Sequence, residues 1–225
     1  MMFPNNKRAA ISFTFDDGSR EHFDVAVPLL NEFGFKGTFF VIAGLTRDQK
    51  DDPLTLSRRC DWWAEVSWQE WRIAANQGHE IGNHSLTHPV LPRLREPQRL
   101  SAEVADSARL IEEKIGQWPA SFAYPYNKSS AAVRQLVLQH HHAVREERVR
   151  YGGPGFTLAK ANQHVDQAIR KGLWIVPMIH GIGHGFDPLD PALLREHLHY
   201  IKDRESEILV DTFGAASAWV KRTSA

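Results

Sequence analysis

Cysteine is almost absent from this chain: Cys60 is the one thiol among 225 residues. A lone cysteine excludes an intrachain disulfide and suits a reducing compartment. The expected role of Cys60 is that of a small, buried, inert side chain. Long hydrophobic runs are missing too. No stretch approaches the roughly 18 apolar residues a membrane span requires, and the opening MMFPNNKRAA has no apolar run of signal-peptide length. We therefore expect a cytoplasmic protein with no membrane partner. Net charge is the third absence, since 27 basic residues cancel 27 acidic ones. That balance gives no reason to expect nucleic acid as a partner. Oligomeric state leaves no mark in the sequence.

What is present is ordinary globular material: 42% hydrophobic and 24% charged residues, enough for one substantial core in a single domain over 1–225. Short apolar runs read as buried strands: AAISFTF (Ala9–Phe15), GTFFVI (Gly37–Ile42), HEIG (His79–Gly82), SFAY (Ser121–Tyr124), LWIVPMI (Leu173–Ile179) and EILV (Glu207–Val210). Amphipathic segments lie between them. Val25, Leu29 and Phe33 repeat every four residues. Ser67 and Glu70 form a capping-box pattern for a helix that should stop at Gly78. Leu100, Val104, Ala108, Ile111 and Ile115 trace one helical face up to Gly116. Asp190 before Pro191 reads as an N-cap and first-turn proline, with Leu194, Leu198 and Ile201 facing inward. A last helix should follow Asp211, to about Val220. Strand alternating with helix implies a parallel α/β sheet with helices outside. A distorted barrel is the first expectation, an open doubly wound sheet the second. The stretch Thr46–Glu65 has little periodicity and reads as a long surface loop.

The chemically suggestive residues fall at the C-terminal ends of the expected strands. Asp16 and Asp17 follow the first strand, His84 and His88 the third, Pro125 and Tyr126 follow SFAY, and His180 follows LWIVPMI. Parallel strands bring those ends to one face, where α/β folds hold their active sites. His84 and His88 are four apart, a spacing that on a helical turn or tight loop lets both imidazoles chelate one ion. Two histidines and a carboxylate suit Zn²⁺ or a similar divalent ion and leave positions open for water. One aspartate of the pair can complete the ligand set. The other can serve as general base beside it. A cation there would also offset the repulsion between adjacent carboxylates.

The motifs TFDDG, GHEIGNHSLTH, a strand ending in YPY and an apolar strand ending in IH together resemble the polysaccharide deacetylase family, also called the NodB-homology or carbohydrate esterase 4 family. FGFKGTFFV and VSWQEW fit the same pattern. The resemblance implies a distorted (β/α)7-type barrel of parallel strands, a divalent metal (zinc first, with cobalt, nickel and manganese as alternatives) and hydrolysis of acetyl groups on sugars, N-acetyl favoured over O-acetyl. By position, Asp16 resembles the catalytic base and Asp17, His84 and His88 the metal ligands. Tyr126 resembles the residue whose N–H helps hold the oxyanion, with Pro125 beside it at the substrate. His180 resembles the general acid.

The resemblance has gaps. An arginine of the third motif, which bonds the base, is replaced by Ala123, and HHHAVREERVRYGGPG lacks the aspartate- and tryptophan-containing fourth motif. Arg145 or Arg148 is the expected substitute cation for Asp16, and Asp166 or Asp211 the acidic partner of His180. His184 is expected to bond within its own loop, and His140–His142 to be surface imidazoles. Trp62 and Trp63 are candidate stacking surfaces for a sugar ring, while Trp68 and Trp71 should be core. Two alternatives stand beside carbohydrate deacetylation: hydrolysis of another non-peptide C–N bond, of cyclic amide or ureide type, and carbohydrate binding without catalysis.

Overall fold

The computed structural model describes residues 2–49 and 66–224. Its strands are β1 (Ala9–Ile11), β2 (Thr14–Asp17), β3 (Thr38–Val41), β4 (Glu80–Asn83), β5 (Ser121–Ala123), β6 (Ala143–Arg145), β7 (Val149–Arg150), β8 (Trp174–Ile175), β9 (Pro177–Ile179) and β10 (Ile208–Val210). The α-helices are α1 (Val27–Glu32), α2 (Trp68–Asn76), α3 (Pro97–Ser101), α4 (Ser107–Ile115), α5 (Ala131–His140), α6 (Leu158–Lys171), α7 (Pro191–Lys202) and α8 (Phe213–Ser224). Two π-turns, His22–Ala26 and Ala102–Asp106, run directly into α1 and α4. Cys60, Trp62 and Trp63 lie outside the described residues. Among those described, no helix is long and apolar enough to cross a membrane.

The chain divides into two compact units. The first comprises Met1–Phe15, Glu21–Thr38 and Glu147–Ala225. In it β1 lies between β10 and β8, all parallel, with Ala10 opposite both Leu209 and Trp174. Parallel pairing also joins β9 to β2 and β7, with Thr14 opposite Met178 and Val149 opposite Pro177. Asp190 caps α7 by accepting the N–H of Ala192 at 2.8 Å, and Pro191 occupies the first turn. As the spacing predicts, Leu194, Leu198 and Ile201 are fully buried, in the company of Ala161, Val165 and Ala168 of α6.

The second unit comprises Asp16–Arg20 and Phe39–Glu146. Its strands run in the order β6–β5–β4–β3, with Asn83 opposite Phe122 and Ala123 opposite Arg145. Leu91, Val104, Phe122, Tyr124, Val133 and Val137 form its core cluster. The capping box is present in full: Ser67 Oγ accepts the Glu70 N–H, and Glu70 accepts the Ser67 N–H at 2.8 Å. Trp68 and Trp71 are buried as expected. Gly116, in the left-handed region, ends α4. Gly82 is required for a different reason. A Cβ there would stand 2.6 and 2.7 Å from the Phe40 ring and 3.1 Å from Ser121 Oγ. Overpacking of this kind costs about 1–3 kcal/mol, so Gly82→Ala should lower the unfolding free energy measured in urea by that amount, and an unchanged value would contradict the close approach.

Two expected strands are each two. The Ala9–Phe15 run breaks at Ser12 and Phe13, and Leu173–Ile179 breaks at Val176. In the first unit the chain changes partners at these breaks, from the β10–β1–β8 set to β2–β9–β7. Apolar composition is continuous across the breaks, so it cannot reveal a change of hydrogen-bonding neighbour. As a result Asp16 and Asp17 are the last residues of β2, not of the first strand. The short strands β6 and β7 are too brief to show a period, and neither they nor α5 and α6 are among the expected elements.

Candidate metal centre

Within the second unit, Asp16 and Asp17 end β2 at a sharp turn: Asp17 has φ +78° and Gly18 φ +76°. A non-glycine residue in this region costs on the order of 1–3 kcal/mol and persists where the surroundings impose it, commonly at functional sites. His84 and His88 follow β4 in a loop. They are not on a helical turn, because Ser85 (φ +71°) and His88 (φ +56°) both take left-handed conformations that a helix excludes. The spacing of four still brings the imidazoles together, with ring centroids 4.9 Å apart.

Nε2 of His84 and Nε2 of His88 each stand 3.4 Å from Oδ1 of Asp17. All three residues are buried, and the three candidate ligand atoms lie within 4.8 Å of one another. Oδ1 of Asp17 is enclosed yet has no hydrogen bond of ordinary geometry. A tetrahedral ion with ligand bonds of about 2.0–2.1 Å spaces its ligand atoms by about 3.3–3.4 Å, so the donor set fits a divalent cation. His84 is oriented for this: its Nδ1 lies 2.8 Å from the Ala123 carbonyl. Donating there leaves Nε2 as the ligand atom. Burial pushes the Asp17 carboxyl up, but its contact with His84 and the charges of His84 and His88 prevail and hold it below the ordinary value. For His84, burial pushes down, while Asp17 and the charge of Asp16 raise the imidazole above its ordinary value.

Asp16 is held by Arg145. The guanidinium donates to both carboxylate oxygens, at 2.5 and 2.6 Å, and the arginine side chain is fully buried. It also lies over the Phe40 ring, 5.0 Å from the centroid. The register accounts for the substitution at Ala123, because Arg145 of β6 is its pairing partner on the adjacent strand. Arg148, the other candidate, is exposed. Tyr126 follows the buried Pro125, has φ +56° and is 54% exposed, with its ring 4.6 Å from that of His88.

His180 belongs to the first unit and follows β9. Its carbonyl is 2.5 Å from Nε2 of the buried His22, and its ring meets Phe186 edge-on at 5.3 Å. Asp166 accepts from the Tyr200 hydroxyl, and Asp211 from the Thr212 N–H. His184 does not bond within its loop; it pairs with Glu21 at 2.6 Å.

His141 also departs from expectation. It is not a surface imidazole but is 3% exposed, with Nε2 3.1 Å from Asn83 Nδ2 and Nδ1 3.2 Å from the Val137 carbonyl. Asn83 immediately precedes His84, so this ring supports the residue from which the His84–His88 loop begins. Burial pushes His141 down to about 4. An unfolded chain takes up that proton near pH 6.5. Folding is therefore unaffected by this group above pH 6.5 and loses stability as the pH falls from there to about 4, by up to about 3 kcal/mol. Denaturant titrations at pH 7 and pH 4.5 should show this loss in the wild type and a smaller one in His141→Gln; equal losses would refute the assignment.

Residues 4–144 match the family model described as polysaccharide deacetylase. The match ends one residue before Arg145 and does not reach His180. By sequence the chain is similar to a gellan lyase of a Bacillus species, 30% identical over 125 residues that cover 56% of this chain and 4% of the lyase. It is also similar to the peptidoglycan-N-acetylglucosamine deacetylase of Bacillus cereus, 26% identical over 56% of this chain and 38% of that protein. The matched segment is thus well under half the length of either relative. Among solved structures, that of the peptidoglycan deacetylase PdaC from Bacillus subtilis superposes with a TM-score of 0.64 at 19% identity, covering 100% of this chain and 96% of the other. The fold is the one the motifs imply, parallel strands alternating with helices as in the carbohydrate esterase 4 structures. On the family match, the chain belongs to the polysaccharide deacetylase family.

Proposed function

We propose that this protein is a metal-dependent hydrolase that removes acetyl groups, N-acetyl in preference to O-acetyl, from a sugar or oligosaccharide. The observation that carries the reading is the buried Asp17–His84–His88 set next in sequence to an Asp16 held by Arg145. Asp17, His84 and His88 would hold the ion, zinc being the first choice for this donor set. When bound, a divalent cation supplies Lewis acidity towards water and the acetyl carbonyl.

The remaining chemistry falls to the chain. Asp16 accepts the proton of the attacking water, and the two bonds from Arg145 fix the plane of its carboxylate. The backbone N–H of Tyr126 donates to the developing oxyanion, a contact typically worth about 3–4 kcal/mol. His180 gives its proton to the departing amine or alcohol. Pro125 and the exposed Tyr126 ring lie at the substrate. Trp62 and Trp63 are further candidates for sugar stacking. The test is acetate release from N-acetylated and O-acetylated oligosaccharides by the zinc-loaded protein, with ureides as a parallel panel. Ureide hydrolysis without acetate release would replace this reading with the other C–N hydrolase. Glycan binding with no turnover on either panel would favour a non-catalytic role.

A further inference from the structure

The loop from His84 to His88 holds both imidazoles, and beyond the His84 N–H, which donates to the Val41 carbonyl of β3 at 2.9 Å, no helix or strand satisfies its N–H groups. Side chains do so. Four consecutive N–H groups are accepted by side-chain oxygens: Ser85 by Asn83 Oδ1 at 2.9 Å, Leu86 and Thr87 by Glu103 Oε2 at 3.0 and 2.8 Å, and His88 by Ser85 Oγ at 2.9 Å. The Thr87 hydroxyl donates to the other Glu103 oxygen at 2.5 Å. The carbonyls of Ser85 and Leu86 accept from Ala43 and Gly44. Pairing of this kind is what a buried, irregular segment needs.

Glu103 stands out in this set because it comes from elsewhere in the chain. It is 3% exposed and sits in the π-turn Ala102–Asp106. A π-turn adds a residue to the helical circuit and so rotates the next turn about the axis, and such turns occur often at functional sites. Here the one hydroxyl hydrogen of Ser107 is shared between the carbonyls of Glu103 and Val104, 2.7 and 3.0 Å from Oγ, and Asn83 Nδ2 also donates to the Val104 carbonyl at 3.2 Å. The irregular turn delivers a buried carboxylate to the stretch of loop between His84 and His88. Burying that group is costly unless donors are aimed at it, and three are.

We propose that Glu103 is a positioning residue for the metal centre: by gripping Leu86 and Thr87 it sets the separation and aim of His84 and His88. The inference rests on the metal-dependent reading above. Its test is Zn²⁺ titration of the metal-stripped full chain against a chromophoric chelator, with visible spectra of the Co²⁺-loaded protein and the thermal midpoint of the metal-free protein. Changes to groups that orient ligands commonly cost 10–100-fold in metal affinity. Glu103→Ala should weaken Zn²⁺ binding by about that factor and alter the Co²⁺ bands. Glu103→Gln keeps one oxygen for the two N–H groups, and Thr87→Val removes only the hydroxyl contact. Both should fall between the wild type and Glu103→Ala, and Arg109→Ala, exposed on α4, should match the wild type. Wild-type affinity and unchanged bands in Glu103→Ala would overturn the proposal and leave the metal reading standing. A wild type that takes up neither ion would overturn both. Should Glu103→Ala fail to fold, wild-type affinity in both Glu103→Gln and Thr87→Val would be decisive against it.

Discussion

Asp16→Asn is expected to lower kcat/KM for acetate release by about 10²–10⁴-fold, the usual contribution of a positioned general base, while the protein keeps its metal. The amide matches the carboxylate in shape but cannot take a proton from water. Asp16 is not among the three residues whose ligand atoms cluster, so zinc content should stay at the wild-type level. That combination separates the roles of the adjacent aspartates: Asp17→Asn should lose metal and activity together. Retained turnover in Asp16→Asn, with metal bound, would remove Asp16 from the mechanism. The pair then also answers why two like charges stand side by side. One carboxylate is neutralised by a guanidinium and the other faces two imidazoles, so neither is left as a bare buried anion.

Arg145→Ala is expected to be the most destabilising single change. Breaking a buried ion pair by removing one partner typically costs about 3–5 kcal/mol, because the remaining charge is stranded. In a domain of this size each kcal/mol shifts Tm by about 2–4 °C, so the midpoint should fall by roughly 6–20 °C. Arg145→Lys should recover only part of this, since an ammonium cannot make the two parallel bonds that the guanidinium gives to both oxygens of Asp16. A variant that also removes the charge left behind, Arg145→Met with Asp16→Asn, should be more stable than Arg145→Ala alone. Calorimetry on the wild type and these three variants measures the effect directly. A midpoint within a degree or two of wild type in Arg145→Ala would show that Asp16 finds a cation or solvent without it.

The sequence alone determined the elements whose signals are local. The capping box at Ser67 and Glu70, the Asp190–Pro191 helix start and the glycine stop at Gly116 each depend on a few neighbouring residues, and each is present. The candidate metal set was legible in the same way. Three residues of two types with strong chemical preferences, Asp17, His84 and His88, placed after apolar runs, point to one ion before any distance is measured. Only the tertiary structure decided the rest. That Arg145 rather than Arg148 bonds Asp16 follows from a strand register, Ala123 opposite Arg145, and register is set by long-range pairing that no short window contains. The burial of His141, and the reach of Glu103 to a loop sixteen residues earlier, depend on which helix face meets which strand end. Periodicity shows that a face is apolar. It does not show what that face, or a polar residue within it, will touch once the chain has closed on itself.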